Sequence, residues 1–162
     1  YHRLQLALGF ILTMPGLPVI YYGDEFGQTG GGDPDNRRPM RFDAELTLEE
    51  HETLSFTQRL GRFRRCHEAL KSGRLEILVA GEHNALYRRV SDHGAWVLIR
   101  LNRGSSAPIR LQITAPMVDI ISGKILTPSD SGARSSVANA RPFEVWVPMS
   151  HECAFEGENG SN

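Results

Sequence analysis

Several features that would assign a function directly are scarce or missing in this 162-residue sequence. It has only two cysteines, Cys66 and Cys153, and neither has a CxxC partner, so they cannot form a zinc site by themselves. Two cysteines are too few for a disulfide framework, and the sequence does not decide whether they form one disulfide bond with each other. Lys and Arg total 18 against 19 Asp and Glu, a net charge of −1. Because phosphate binding needs a basic excess, we expect no nucleic-acid partner.

Long hydrophobic runs are also missing. The run at residues 4–14 is interrupted by Gln5, Gly9 and Thr13, and it is shorter than the roughly 20 apolar residues of a membrane span. We therefore expect no membrane partner. The run also has no charged n-region or cleavage site of a secretory signal, and the sequence leaves the compartment open.

The common catalytic and metal motifs are absent as well. The triple glycine at residues 30–32 has no GKS or GKT behind it, and residues 33–38 have Arg38 where a calcium loop of the EF-hand type needs glycine. The six histidines show no HExxH spacing, and no serine lies in a GxSxG turn. We predict no metal and no cofactor from these patterns.

The first part of the chain has the alternation of an α/β protein. Residues 4–14 form a predicted buried helix that Pro15-Gly16 ends, and residues 17–22 are a short apolar and aromatic run typical of a strand buried on both faces. Thr47 and Glu50 form a capping box for a second helix. Apolar residues at spacings of 3 and 4 predict the buried face of this helix. The helix is expected to end at Gly73. The residues of that face are Phe56, Leu60, Phe63, His67 and Leu70.

The second part reads as short strands. We predict strands at residues 75–79, 85–90, 95–101, 108–113, 117–121 and 143–148, with a hairpin turn at residues 92–94. Trp96 and Trp146 are expected in or over the core of an antiparallel sandwich. The polar residues 156–162 are expected to form a disordered tail.

Charged residues concentrate in the glycine-rich loop behind the predicted strand. Asp33, Asp35, Arg37 and Arg38 could converge on a polar ligand, because carboxylates and guanidinium groups hydrogen-bond sugar hydroxyls well. The alternative is that these side chains neutralise one another and only hold the loop together. The sequence alone leaves both interpretations open.

Two motifs carry a family resemblance. Residues 14–27, MPGLPVIYYGDEFG, resemble the pattern PGxPxIYYGDExG of the last barrel strand in the α-amylase family, family 13 of the glycoside hydrolases. Residues 32–40, GDPDNRRPM, resemble the substrate-side loop of neopullulanase and cyclomaltodextrinase-like members, although Asn36 stands where many relatives have cysteine. The resemblance extends loosely to residue 150.

The resemblance implies an α/β plus all-β fold. The last helix–strand–helix segment of a (β/α)8 barrel would span residues 1–72, and an antiparallel C-terminal β-sandwich would span residues 73–155. A closed barrel needs about 250 residues, so we expect the chain to be the C-terminal portion of a longer enzyme. The missing upstream barrel segment, or self-association through residues 1–30, would cover its open face.

The same resemblance implies a retaining α-glucan-active glycoside hydrolase acting on α-glucan or maltooligosaccharide substrates. The family's catalytic carboxylates lie upstream, so no catalytic residue is assigned and the chain alone is expected to be inactive. Asp33 and Arg37 match positions that hydrogen-bond a glucose unit, with Arg38 and Asp35 beside them. The alternative is a stand-alone carbohydrate-binding or structural module without catalysis.

Overall fold

The computed structural model describes residues 1–104, 110–111, 113–128, 135–136 and 141–154. Three α-helices come first: α1 (His2–Thr13), α2 (Leu48–Cys66) and α3 (Glu68–Lys71). Short 3-10 helices lie at Asp35–Arg37, Asp43–Glu45 and Glu152–Ala154. The strands are β1 (Arg74–Ala80), β2 (Asn84–Val90), β3 (Trp96–Asn102), β4 (Arg110–Leu111), β5 (Met117–Asp119), β6 (Ile125–Leu126), β7 (Ser135–Ser136) and β8 (Phe143–Pro148). Within these residues, no helix is both long and apolar enough to span a membrane.

Six of the strands form one antiparallel sheet. Their order is β1-β2-β3-β8-β5-β6, and β4 pairs with β7 in a separate two-stranded ladder. The predicted hairpin at residues 92–94 joins β2 to β3, with Gly94 at a φ of +85° that favours glycine. The prediction of antiparallel strands is therefore confirmed. Part of the predicted strand 108–113, and the whole tail 156–162, lie outside the described residues.

The helices cover one face of this sheet. Leu8 and Leu12 of α1 and Leu60 and Phe63 of α2 pack in one buried cluster with sheet residues. Those sheet residues alternate along the strands, as the two-residue period of a strand requires. They are Tyr87, Val97, Ile99, Phe143, Val145 and Val147. The opposite face holds a second cluster around the fully buried Trp146, against which Trp96 packs, so the positions expected for both tryptophans are confirmed.

The helices α1 and α2 lie side by side and run in the same direction. Near their N-termini, Gln5 Nε2 donates to Thr53 Oγ1 at 3.4 Å, and near their C-termini, Arg64 Nη1 donates to the Leu12 carbonyl at 2.8 Å. Two parallel helices need a return connection between them, which residues 14–47 supply.

The predicted strand at residues 17–22 is wrong for this structure. Leu17 is 90% exposed and Val19 77%, and within the described residues the run has no strand partner. A parallel strand is stabilised by hydrogen bonds from neighbouring strands, and the described chain contributes no other strand to that side. The run is apolar in sequence, but most of its residues are exposed in this structure.

The second predicted helix is interrupted at His67. The Thr47–Glu50 capping box is present, and α2 ends at Cys66 because His67 adopts an extended conformation, with φ −81° and ψ 114°. His67 is fully buried, as its periodicity indicated, and its Nδ1 accepts a hydrogen bond from the Ala69 amide at 3.3 Å to cap α3. Gly73 follows α3, where a Cβ would lie 2.5 Å from the Ala69 carbonyl oxygen.

Cys66 and Cys153 form a disulfide, which decides the alternative that the spacing left open. It connects the end of α2 to the 3-10 helix at Glu152–Ala154, and Cys153 belongs to the cluster between helices and sheet. Beside the disulfide, the rings of His67 and His151 stack with centroids 4.1 Å apart. This corner therefore links the helical part covalently to the strand part of the chain.

Candidate functional site

The candidate site is the loop between residues 22 and 41. It begins with a tight turn in which the amides of Gly27 and Gln28 donate to the Gly23 carbonyl at 2.9 and 2.8 Å. Gly23 has a φ of +91°, and a Cβ there would lie 2.8 Å from Gln28 Cβ, so the turn requires glycine. The motif GDEFG therefore acts as a turn that directs the chain from the exposed run into the loop.

The turn and the far end of the loop are both attached to α2. Phe26 is buried, and the Arg41 guanidinium lies over its ring at 5.4 Å from the centroid. Arg41 also pairs with the buried Glu50, and Thr57 Oγ1 donates to the Glu25 carbonyl at 2.9 Å. The Arg41 hydrogen bond lowers the pKa of Glu50 and raises that of Arg41. The loop is thereby anchored at both ends while its middle projects into solvent.

The structure brings the four predicted site residues together as two ion pairs across the 3-10 helix at Asp35–Arg37. Arg38 holds Asp35 with two hydrogen bonds of 2.8 Å, and Asp35 Oδ2 also accepts from the Gly31 amide at 2.7 Å. The Arg38 hydrogen bond and the Gly31 amide lower the pKa of Asp35. This pair therefore closes the loop, which is the role that the alternative interpretation assigned to all four residues.

The second pair is different in exposure and in contacts. Arg37 Nε lies 3.0 Å from Asp33 Oδ1, and the two side chains are 70% and 63% exposed. Asp33 precedes Pro34 through a cis peptide bond. An exposed ion pair contributes little to stability, about 0–1 kcal/mol. Asp33 and Arg37 therefore keep hydrogen-bonding capacity that a ligand can use.

A small pocket beside the loop contains residues that the sequence analysis missed. Its volume is about 160 Å³, and it is lined by Tyr21, Tyr22, Asp24, Gln28, Thr29, Gly30 and Asn36. Tyr22 OH and Gln28 Nε2 both donate to the Arg38 carbonyl, at 3.2 and 3.4 Å. The apolar run of Tyr21 and Tyr22 predicts strand core, and Gln28 belongs to no motif. Only the proximity of these residues in sequence to the loop indicates that they belong to the pocket.

The described residues offer no cluster of three or more His, Cys, Asp or Glu side chains that could hold a metal. Asp24 lines the pocket, and Glu25 contributes only its carbonyl to the anchor on Thr57. The loop therefore combines aromatic rings, amides, carboxylates and guanidinium groups at one exposed surface. These groups can donate and accept hydrogen bonds side by side.

Comparison with known proteins identifies relatives of this chain. No family model matches the chain. Over 144 residues it is 33% identical to an amylopullulanase of Thermoanaerobacter thermohydrosulfuricus, covering 79% of this chain and 10% of that protein. Over 106 residues it is 36% identical to a cyclomaltodextrinase of Geobacillus thermopakistaniensis, covering 65% of this chain and 18% of that protein.

A solved structure supports the same relationship. The maltogenic amylase of S. marinus is 27% identical and superimposes with a TM-score of 0.67, covering 91% of this chain and 19% of that one. The sequence identities and this superposition together define the class to which the chain belongs. The chain belongs to the α-amylase family, family 13 of the glycoside hydrolases. It spans about a tenth to a fifth of the length of the two curated relatives.

Proposed function

We propose that this chain is the C-terminal portion of a retaining α-glucan-active glycoside hydrolase and supplies substrate-loop residues but no catalytic carboxylate. Residues 1–72 would complete the barrel, and residues 73–155 would form the C-terminal β-domain. The observation that carries the proposal is the exposed Asp33–Arg37 pair beside the pocket of Tyr21, Tyr22 and Gln28. The relatives are named for action on pullulan and cyclomaltodextrin, which supports α-glucan as the ligand class.

The size of the loop pocket supports a site shared with other parts of an enzyme. Ligand pockets usually enclose about 300–1,000 Å³, whereas this one encloses about 160 Å³. The loop can therefore contact one side of a sugar and leave the rest of the ligand to other walls. This agrees with a role in positioning substrate rather than in bond cleavage.

An open apolar surface supports the same proposal. We define the open face as Phe10, Ile11, Leu17, Val19 and Tyr21, which are between 40% and 90% exposed. Large exposed apolar side chains close together in sequence are typical of an interface. We propose that upstream barrel segments cover it in the whole enzyme, and that copies of the chain associate through residues 1–30 when those segments are absent.

The loop assignment is tested by titrating the chain with maltotriose and following its backbone amides by NMR. We expect amides of residues 22–38 to shift, and Arg37→Ala to weaken this binding about tenfold or more, because charged hydrogen bonds contribute about 1.5–3 kcal/mol. Arg74→Ala is the matched control, because Arg74 is an exposed arginine paired with Glu76 on β1. Equal affinity in the two variants would return the Asp33–Arg37 pair to a purely structural role.

A further inference from the structure

A second pocket lies between the helix pair and the sheet. It is lined by His2 and Gln5 of α1, by residues of α2 including Glu52, Ser55 and Arg59, and by Arg141–Phe143 beside β8. Its volume is about 610 Å³, which lies in the usual range of ligand pockets, about 300–1,000 Å³. It shares no lining residue with the pocket beside the loop.

The helix residues of this pocket lie toward the N-terminal ends of α1 and α2. They fall between His2 and Gln5 in α1 and between His51 and Arg59 in α2. The loop enters α2 through the same end, because residues 41–47 lead directly into the capping box at Thr47. In barrel enzymes this end of the helices is the end that carries the substrate-binding loops.

The lining combines an apolar base with a polar rim. Phe56 and Phe143 meet edge to face with centroids 5.6 Å apart at the base. Arg59 Nη1 donates to the Ile121 carbonyl at 2.7 Å, which fixes the guanidinium at the rim. Glu52 and Arg141 line the pocket as well.

These side chains offer both donors and acceptors to a polyhydroxyl ligand. Arginine offers donors, the Glu52 carboxylate offers acceptors, and Ser55 offers both. A sugar can hydrogen-bond these groups at the rim, while the buried rings of Phe56 and Phe143 close the base.

We propose that this pocket is a second, non-catalytic binding site for a segment of α-glucan. The choice of ligand rests on the proposed function, whereas the pocket itself rests on its own residues. Such a site would hold a long glucan on the face of the molecule from which the substrate loop projects. It would therefore raise affinity for longer chains more than for short ones.

The same maltotriose titration tests the proposal, read at a different set of amides. We expect the amides of residues 51–59 and 141–143 to shift with their own binding curve, separate from that of residues 22–38. Cellotriose, which is β-linked, is the control ligand. Its affinity for the pocket, followed by the same amides, should be at least about tenfold lower. Equal responses to the two trisaccharides would overturn the α-glucan assignment.

Two tryptophan substitutions on α2 separate a real pocket from a surface effect. Ser55→Trp places an indole ring in the pocket and obstructs it, so the pocket amides should lose most of their response while the loop amides keep theirs. Gln58→Trp is the matched control, because Gln58 is exposed on the same helix and does not line the pocket. Unchanged binding in Ser55→Trp, or an equal loss in both variants, would overturn the second site.

The pattern of response also separates this proposal from the proposed loop function. If only the loop amides respond, the second site is overturned and the loop assignment stands. If only the pocket amides respond, the second site stands and the loop assignment fails. If neither set responds at millimolar maltotriose, both are overturned.

Discussion

Two buried arginines hold the C-terminal end of α1 in place. Arg64 of α2 donates to the carbonyls of Leu12, Met14 and Gly16 at 2.6–3.2 Å. Arg89 of β2 donates to the Thr13 carbonyl at 2.7 Å. The last carbonyls of a helix lack partners within the helix, and cationic donors satisfy them well. Burial lowers the pKa of both arginines.

Arg89 also connects the helices to the sheet. Its Nη2 donates to the Gly73 carbonyl at 2.7 Å. A second contact joins the same two parts of the chain, because the hydroxyl oxygens of Thr13 and Tyr87 lie 2.6 Å apart. Desolvation raises the pKa of Tyr87 to about 12, so its hydroxyl stays protonated in this contact at neutral pH. A strand residue thereby fixes the point at which the chain leaves α1 toward the loop.

We expect Arg89→Met to lower the free energy of unfolding by about 2–3 kcal/mol, because two buried carbonyls lose a charged donor. Arg88→Met is the control. The Arg88 side chain is 42% exposed, lies on the other face of β2 and pairs with Glu76 of β1. Its loss should cost at most about 1 kcal/mol. Urea unfolding of the two variants measures the difference, and equal losses would contradict this role for Arg89.

The sequence could not distinguish these two arginines. Arg88 and Arg89 are adjacent in a strand, so their side chains point to opposite faces, but two charged residues give no indication of which face is buried. In the loop the sequence did better, because glycine, proline and paired charges in a short segment predict a turn with ion pairs. It could not predict that Arg38 closes the loop while Arg37 stays exposed, since that depends on the position of the Gly31 amide.

At the scale of elements, the break between α2 and α3 has a titratable residue at its centre. His67 is fully buried, and its Nδ1 accepts the Ala69 amide, so the proton of the neutral ring lies on Nε2. That Nε2 has no hydrogen-bond partner among the described residues. Burial, followed by repulsion from His151, lowers the pKa of His67 to about 4. Glu68 opposes this shift and Lys71 adds to it.

This lowered pKa predicts a loss of stability in acid. Between the folded pKa near 4 and the ordinary value near 6.5, the unfolded state binds more protons at this residue than the folded state does. The contribution of neutral His67 to the free energy of unfolding is therefore fully present above pH 6.5. It decreases as the pH drops through this window, and about 3 kcal/mol is lost at pH 4. We expect His67→Asn, which keeps a capping acceptor, to lose about 3 kcal/mol less than the wild type between pH 7 and pH 4.

Urea unfolding of both proteins at the two pH values measures this difference. The comparison uses the change with pH in each protein, so any packing defect in the variant cancels. Parallel loss of stability in the two proteins would show that His67 does not control the acid response.

Elements with local stabilisation were predictable from the sequence, and elements that depend on distant neighbours were not. The capping box at Thr47, the turn at Gly94 and the alternation of β2 and β3 all follow from residues close in sequence. The run at residues 17–22 has the composition of a parallel strand, but such a strand requires partners from elsewhere. The helix break at His67 lies beside the Cys66–Cys153 disulfide, a contact between residues distant in sequence that periodicity does not reveal.

At the scale of the whole molecule, the helices and sheet bury one shared cluster on one side and leave the open face on the other. The disulfide closes a separation of 87 residues between these parts. In the chain-entropy model, a loop of that length contributes about 4–5 kcal/mol to stability. The helices and the sheet are therefore held together by a buried cluster and a disulfide. The open face, where we propose that barrel segments bind, remains exposed.

We expect the isolated chain to self-associate through the open face. Val19→Lys should shift the average mass in size-exclusion chromatography with light scattering toward the monomer, because it places a charge in the apolar contact. Ile77→Lys is the control, since Ile77 is 67% exposed on the edge strand β1, outside the open face. A stable wild-type monomer whose residues 1–30 exchange amide hydrogens rapidly would contradict the expectation.

We propose that the chain is one part of a larger α-glucan-active enzyme. The intact mass of the native polypeptide in its source cells, detected with an antibody to residues 73–155, distinguishes this proposal from a stand-alone module. We expect a product several-fold heavier than 18.1 kDa. A product near 18.1 kDa would contradict it and would favour the alternative of a stand-alone binding or structural module.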